Sequence, residues 1–213
     1  MKDISEIRVS YQNFTMKKTA LAEDPIHQFQ VWMADALKTD LREPNAFTLS
    51  TADAQGRPAA RVMLLKDVDH HGFVFFTNYN SKKGRHLAEN PYAAISFFWS
   101  PLERQVRIEG VTEKLDEKSS DEYFNSRPIG SRIGAHASPQ SSVIPDREFL
   151  DSRVDEFTKK FPGENIPRPS SWGGFVLKPY LIEFWQGRPN RLHDRILYTL
   201  TEDGTWKIER LAP

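Results

Sequence analysis

Cysteine is missing from all 213 residues, which removes disulfides, thiolate metal sites and cysteine-based redox or nucleophilic chemistry. If the chain is an oxidoreductase, a bound cofactor has to carry the electrons. Net charge is missing too, with 29 Lys and Arg against 29 Asp and Glu. No overall field draws the molecule to nucleic acid or to a membrane surface, so anion binding falls to local basic clusters. No apolar run approaches the roughly 18 residues of a membrane-crossing helix, and Met1 to Leu21 contains no apolar core of signal-peptide length. A cytoplasmic location is expected. The glycine motifs GxGxxG and GxxxxGK[ST] are absent, as is the hydrolase elbow GxSxG, and there is no internal repeat. His70-His71 and His193-Asp194 belong to no cluster with the spacing of a closed metal site, so no metal is expected.

The elements present follow from periodicity. Residues 1–22 mix charges with Tyr11 and Phe14 without a sustained period, and read as a flexible or partner-draped arm before a single domain over 23–213. Asp24 caps a helix with Pro25 at its first position and Phe29, Trp32, Met33 and Leu37 as its apolar stripe. From Ala46 to Glu113 the period changes to two. Runs at Ala46–Thr51, Ala59–Val68, Phe73–Thr77, Tyr92–Trp99 and Arg104–Glu113 are separated by turn residues. Five consecutive strands with short connections predict an antiparallel meander closing into a small barrel, in a chain that is mainly β with flanking helices (α+β). Further helices are expected at Lys82–Glu89, Asp116–Ser126 and Asp146–Phe161, the last burying Phe149, Leu150, Val154, Phe157 and Phe161. A strand at Phe175–Trp185 and a hairpin of Ile196–Leu200 with Trp206–Leu211 end the chain.

Chemistry concentrates in Ile182–Arg195, where two aromatics, three arginines, a histidine and two carboxylates surround a Gly/Pro turn. Arg191, His193 and Arg195 fall at period two, as on one face of a strand, and such a face needs anionic partners or water. Other cations are scattered. Ser81 caps a helix whose first turn carries Lys82, Lys83 and Arg85, where the helix dipole disfavours cations unless an anion binds. Tyr123 and Arg127 sit four residues apart with Ser131 beyond, a set able to ligate one phosphate. Strict alternation puts Arg61 and Lys66 on opposite strand faces, which suits two anions better than one. Trp185 and Gln105 offer stacking and hydrogen-bonding surfaces for flat rings. The residues alone thus stop at a phosphate-binding barrel. An RNA-binding barrel is its rival, weakened by the zero net charge.

At Arg61-Val-Met-Leu-Leu-Lys66, Phe76-Thr77-Asn78, Leu102-Glu-Arg-Gln105-Val, Ser126-Arg127-Pro128, Gln140-Ser141-Ser142, Trp172-Gly-Gly-Phe175 and Glu183-Phe-Trp185-Gln through Arg191-Leu-His193-Asp-Arg195, the chain resembles the pyridoxine/pyridoxamine 5′-phosphate oxidase family. The resemblance runs from about Asp24 to Pro213. It implies a split β-barrel homodimer with FMN at the subunit interface. The activity it implies is oxidation of pyridoxamine or pyridoxine 5′-phosphate to pyridoxal 5′-phosphate, with O2 as acceptor and H2O2 as product. By resemblance, Arg61, Val62, Met63, Leu64, Leu65 and Lys66, then Phe76 and Thr77, Lys82 and Lys83, Gln105, Gln140 and Ser141, Trp185 and Arg195 contact FMN. Lys66, Tyr123, Arg127 and Ser131 cradle the substrate phosphate, while Arg191, Leu192 and His193 meet its ring, Arg191 and His193 as the catalytic pair. Three positions depart from the family pattern: Lys82 where Arg is frequent, Phe76 where Tyr is frequent, and His136 where an aromatic such as Trp is common. The alternative is a flavin- or pyridoxal-phosphate-binding barrel without catalysis.

Overall fold

A computed structural model describes residues 3–6, 10–12, 15–16 and 21–213. The expected arm therefore lies partly outside the described residues. Its described pieces touch the body: Met16 is buried, its N–H donates to Asp194 Oδ2 at 3.1 Å, and Tyr11 packs on Trp185.

Among the described residues nine strands form one antiparallel sheet: β1 (Ala46–Ala52), β2 (Pro58–Leu64), β3 (Asp67–Asp69), β4 (Gly72–Asn78), β5 (Tyr92–Trp99), β6 (Arg104–Lys114), β7 (Trp172–Gln186), β8 (Asp194–Leu200) and β9 (Trp206–Leu211). The order is β2-β1-β5-β6-β7-β4-β3, with β8 paired to β7 and β9 to β8. This corrects the meander. Strand β4 does not pair with β5; it crosses to β7, and β5 pairs with β1 instead. Short connections suggested hairpins, but helix α2 (Lys82–Glu89) fills the link after β4 and carries the chain away from that edge.

β7 explains the split in the barrel. β6 pairs with it from Phe175 to Gln186, so β4, on residues 172–177, and β8, on 181–186, share its other edge. Pro179 lies between them and offers no N–H to a ladder. Opposite it the register slips between Glu109 and Gly110, where a Cβ on Gly110 would come 2.3 Å from the Lys178 carbonyl oxygen, so the bulge requires glycine. At the other end of the path the Lys66 N–H donates to the Val74 carbonyl at 2.9 Å, tying the segment after β2 to β4.

Alternation fills the interior as expected. Phe47, Leu49, Ile95, Phe97, Trp99, Val106, Ile108 and Phe184 point inward from their strands and are buried. Helix α1 (Pro25–Ala36), capped by Asp24 accepting from Ile26 N–H at 2.9 Å, plugs the barrel with Phe29 against Phe73 at 4.9 Å and Phe97 at 5.1 Å. Leu37 leaves the predicted stripe: it follows the last helical turn and is exposed.

Helices α3 (Glu117–Ser126), α4 (Ile129–Ala137) and α5 (Arg147–Lys160) pack outside around a second apolar cluster of Phe124, Ile133, Ile166 and Trp172. α4 was not anticipated; Gly130 and Gly134 depress its helix propensity, and packing of Ile133 supplies what propensity lacks. In α5 no residue is fully buried: Phe149, Leu150, Phe157 and Phe161 are half-covered, and Val154 is exposed, so the predicted buried stripe is only partly covered. His136, on α4, packs at a tilt against Phe157 and Phe161, and its Nε2 lies 2.7 Å from the Pro167 carbonyl.

Candidate active site

Strands β2 and β4, helices α2, α3 and α4, and the start of β7 surround a cavity of about 490 Å³ lined by Met63, Leu64, Lys66, Phe76, Thr77, Lys83, Tyr123, Arg127, Pro128, Ser131, Gln140 and Trp172. Residues from motifs spread over more than a hundred positions converge here. The floor is aromatic: Phe76 stacks on Tyr123 at 3.9 Å and lies 5.4 Å from Trp172 in a near-parallel arrangement. Phe76 is thus held by ring stacking. Arg127, at the C-cap of α3 in extended conformation, lays its guanidinium 4.5 Å over Trp172. Ser131 enters from the first turn of α4, and Lys66 Nζ sits 6.0 Å over the Tyr123 ring.

Charge is left open in this cavity. Arg127 Nη1 is buried with no hydrogen-bond partner. Lys83 is buried and, among the described residues, donates only to Gln140 Oε1 at 3.1 Å, an amide oxygen that also accepts from Thr77 Oγ1 at 3.2 Å. Arg61 lies near Lys83 without lining the cavity, and donates to neutral acceptors, the Leu49 carbonyl at 3.1 Å and Thr51 Oγ1 at 2.8 Å. None of the three has a carboxylate partner among the described residues. Burial, and then the charge of Arg61, hold the Lys83 ammonium below its ordinary pKa; burial lowers Arg127 likewise. A buried cation without an anion is costly, and a phosphate removes that cost. Ser81 caps α2 by accepting from Gly84 N–H at 3.3 Å, and Ser141 adopts φ +70, a strained conformation for a side-chain-bearing residue beside Gln140.

Arg61 and Lys66 do not simply face opposite ways along one strand. β2 ends at Leu64, Leu65 is buried, and Lys66 belongs to the link toward β3, so the alternation argument does not reach it. Val62 and Lys82 are exposed on the outside.

A second group forms where β7 meets β8. Trp185 pairs with Arg195 across the strands and with Gln105 on its other side. His193 lies 4.6 Å from Trp185, and Tyr11 packs edge-on against both at 5.7 and 5.9 Å. Gly187 makes room for Tyr11, since a Cβ there would meet its ring at 2.7 Å. The predicted period-two strand of Arg191, His193 and Arg195 is corrected: Arg191 sits in a one-turn 3-10 helix with φ +61, after Asn190 at φ +57, and only Arg195 lies in β8. Arg191 and Leu192 are exposed. His193 Nδ1 accepts from Arg188 N–H at 3.1 Å, so the ring proton sits on Nε2, and burial together with Arg191 holds its pKa below the ordinary value. Arg195 has an anion already: Nε and Nη2 donate to the two oxygens of buried Glu183 at 2.7 and 3.0 Å. Gln105, Trp185, Arg191, Leu192, His193 and Arg195 all lie outside the lining of the first cavity.

Three contributors carry no functional signal in the sequence. Trp172 reads only as part of a motif leading into β7, yet it backs Arg127; Tyr11 is one of two aromatics in a charged arm; and Glu183 is one of two carboxylates in a dense stretch, its partner set by β7–β8 register.

An antiparallel split barrel, with cations on its outer wall that have no carboxylate partner among the described residues, is the class of fold that the chain defines. A pyridoxamine 5′-phosphate oxidase-related, FMN binding protein from Nostoc punctiforme shares that fold, with a TM-score of 0.72 over 91% of this chain and 100% of its own at 17% identity. Residues 33–161 match the family model described as pyridoxamine 5′-phosphate oxidase, and residues 172–213 match the pyridoxine 5′-phosphate oxidase C-terminal dimerisation region. The chain belongs to the pyridoxine/pyridoxamine 5′-phosphate oxidase family of oxidoreductases. It is 52% identical to the pyridoxine/pyridoxamine 5′-phosphate oxidase of Cupriavidus metallidurans, and the match covers all of both chains. The enzyme of that name from Burkholderia thailandensis is 54% identical over 100% of each. A crystal structure of PhzG from Burkholderia lata, in complex with tetrahydrophenazine-1-carboxylic acid, is similar with a TM-score of 0.89 at 31% identity, covering 96% of this chain and 100% of that one.

Proposed function

We propose that the chain binds FMN and oxidises the C4′ carbon of pyridoxamine 5′-phosphate and pyridoxine 5′-phosphate to give pyridoxal 5′-phosphate, with O2 as electron acceptor and H2O2 as product, the amine substrate also taking up water and releasing ammonia. The observation that carries the reading is a group of cations without carboxylate partners among the described residues, buried Lys83 and half-buried Arg127 with its unbonded Nη1 on one aromatic-floored cavity and half-buried Arg61 beside it, which suits two phosphate-bearing ligands. The names of the 52% and 54% identical relatives support the substrate.

In this reading Lys83, Arg61 and the exposed Lys82 hold the cofactor phosphate, with Thr77, Gln140 and Ser141 beside them. Met63, Leu64 and Phe76 line its pocket, and Val62, Leu65, Gln105, Trp185 and Arg195 complete its surroundings. Lys66, Tyr123, Arg127 and Ser131 grip the substrate phosphate. FMN supplies the acceptor for the hydride leaving C4′. A guanidinium is a poor base, so Arg191 acts by orienting the pyridine ring and stabilising charge. His193, its Nδ1 occupied by the Arg188 N–H, offers Nε2–H as a donor to the substrate. Residues 23–213 serve as one oxidase domain. Two copies assemble so that the Trp185–Arg195 group of each completes the cavity of the other; the dimerisation region covers that group, and Val62 and Phe98, 70% and 53% exposed, provide apolar surface for the contact.

Purified protein supplied with FMN tests this. A flavin absorption spectrum and peroxide release on adding pyridoxamine 5′-phosphate are expected. Bound flavin without peroxide favours the non-catalytic alternative, and failure to take up FMN overturns the reading.

A further inference from the structure

Glu183 is a buried carboxylate, 4% exposed, and no step described above uses it. It stands on β7 two residues before Trp185 and receives two arginines. Arg195 reaches it side-on through Nε and Nη2, at 2.7 and 3.0 Å, and Arg107 Nη1 lies 3.2 Å from the same Oε2. A third donor of Arg195, Nη1, goes to the Ala212 carbonyl at 3.0 Å. These three bonds use three of the five N–H groups of the guanidinium and fix its plane. The Glu183 hydrogen bonds also raise the Arg195 pKa.

The contrast with the cavity cations is informative. Lys83, Arg61 and Arg127 lack anions, whereas the charge of Arg195 is compensated. A compensated guanidinium with its plane fixed and two N–H groups left over suits hydrogen bonding to a neutral, carbonyl-bearing ring edge better than capture of a phosphate.

We infer that Glu183 is a positioning residue that holds Arg195, through a paired carboxylate, for hydrogen bonding to the flavin ring and not to the cofactor phosphate. This rests on the proposed assignment of Arg195 to the cofactor. It predicts that the Glu183–Arg195 pair affects FMN and riboflavin equally, since riboflavin has the ring without the phosphate.

The test titrates apoprotein of the full chain with FMN and with riboflavin, following quenching of flavin fluorescence. For Glu183→Gln, both dissociation constants should rise by the same factor, on the order of tenfold for loss of an oriented charge-assisted bond. Glu183→Asp, which keeps the charge, should recover part of the loss, and Arg107→Ala should leave both affinities near native. Lys83→Ala should weaken FMN alone. Native-like binding of both flavins by Glu183→Gln, alongside weakened binding by Arg195→Ala, would overturn the positioning role while leaving Arg195 at the cofactor. Native-like binding by Arg195→Ala would instead remove Arg195 from the cofactor site. A loss confined to FMN would overturn the ring assignment. Should Glu183→Gln not fold, Glu183→Asp decides: a matched, smaller weakening of both flavins supports the role, and unchanged binding refutes it.

Discussion

Removing the Arg127 side chain separates a ligand grip from a structural prop. In the protein its guanidinium lies over Trp172 at 4.5 Å with Nη1 buried and unbonded. Two terms compete in the ligand-free chain. The cation–π contact is worth about 0.5–2 kcal/mol, while leaving a buried donor unsatisfied costs about 1–3 kcal/mol, more when it is charged. They nearly cancel, so Arg127→Ala should change folding stability by no more than about 1 kcal/mol. With a phosphate bound the balance differs, because each charge-assisted bond contributes about 1.5–3 kcal/mol. Loss of about 3 kcal/mol corresponds to a KM for pyridoxamine 5′-phosphate raised on the order of a hundredfold. Peroxide-coupled kinetics measure KM, flavin fluorescence gives FMN affinity, and urea denaturation gives stability. A stability loss of several kcal/mol with KM unchanged would make Arg127 a prop for Trp172 and refute its role as a grip. Equal loss of FMN in Arg127→Ala and Lys83→Ala would show that the two phosphate grips are not divided in this way.

Other expectations are as direct. Lys83→Ala should loosen FMN with little effect on substrate KM once flavin is saturating, a difference that titration and kinetics read separately. Arg191→Ala should lower turnover far more than stability, and an unchanged kcat/KM would place Arg191 outside the site. His193 has its pKa lowered by burial and by Arg191, so the native fold favours the neutral ring. Its stabilising contribution is full above the ordinary value of 6.5 and is lost as pH falls through the folded-state value. Accordingly the acid limb of kcat/KM should lie below pH 6.5, and Arg191→Ala should move it upward; a limb that does not respond to Arg191 assigns it to another group. Phe29, fully buried against Phe73, Phe97 and Trp99, should cost about 3–5 kcal/mol on substitution by alanine, read from the denaturation midpoint.

Local chemistry was readable wherever it depends on neighbours in the chain. The caps Asp24 and Ser81 each accept the backbone N–H that their side chains suit, and the period-two strands bury alternate residues as written. The motifs around Arg61–Lys66, Arg127 and Arg191–Arg195 were enough to name a family and an activity class. Pairing between distant strands was not readable. β4 joins β7 across about a hundred residues, and that long-range choice replaces the meander expected from periodicity with the split barrel that the family resemblance implied. Helix α4 depends on burying Ile133 against Phe124 and Trp172, which no propensity records. Net charge was visible from composition, but which cations lack anions was not. Arg195 and Arg127 look alike in sequence, yet register sets one beside Glu183 and packing leaves the other with an unbonded buried nitrogen. Whether a charge is already compensated is a property of three-dimensional neighbours, so only the tertiary structure distinguishes the cations open to phosphate from the one already held.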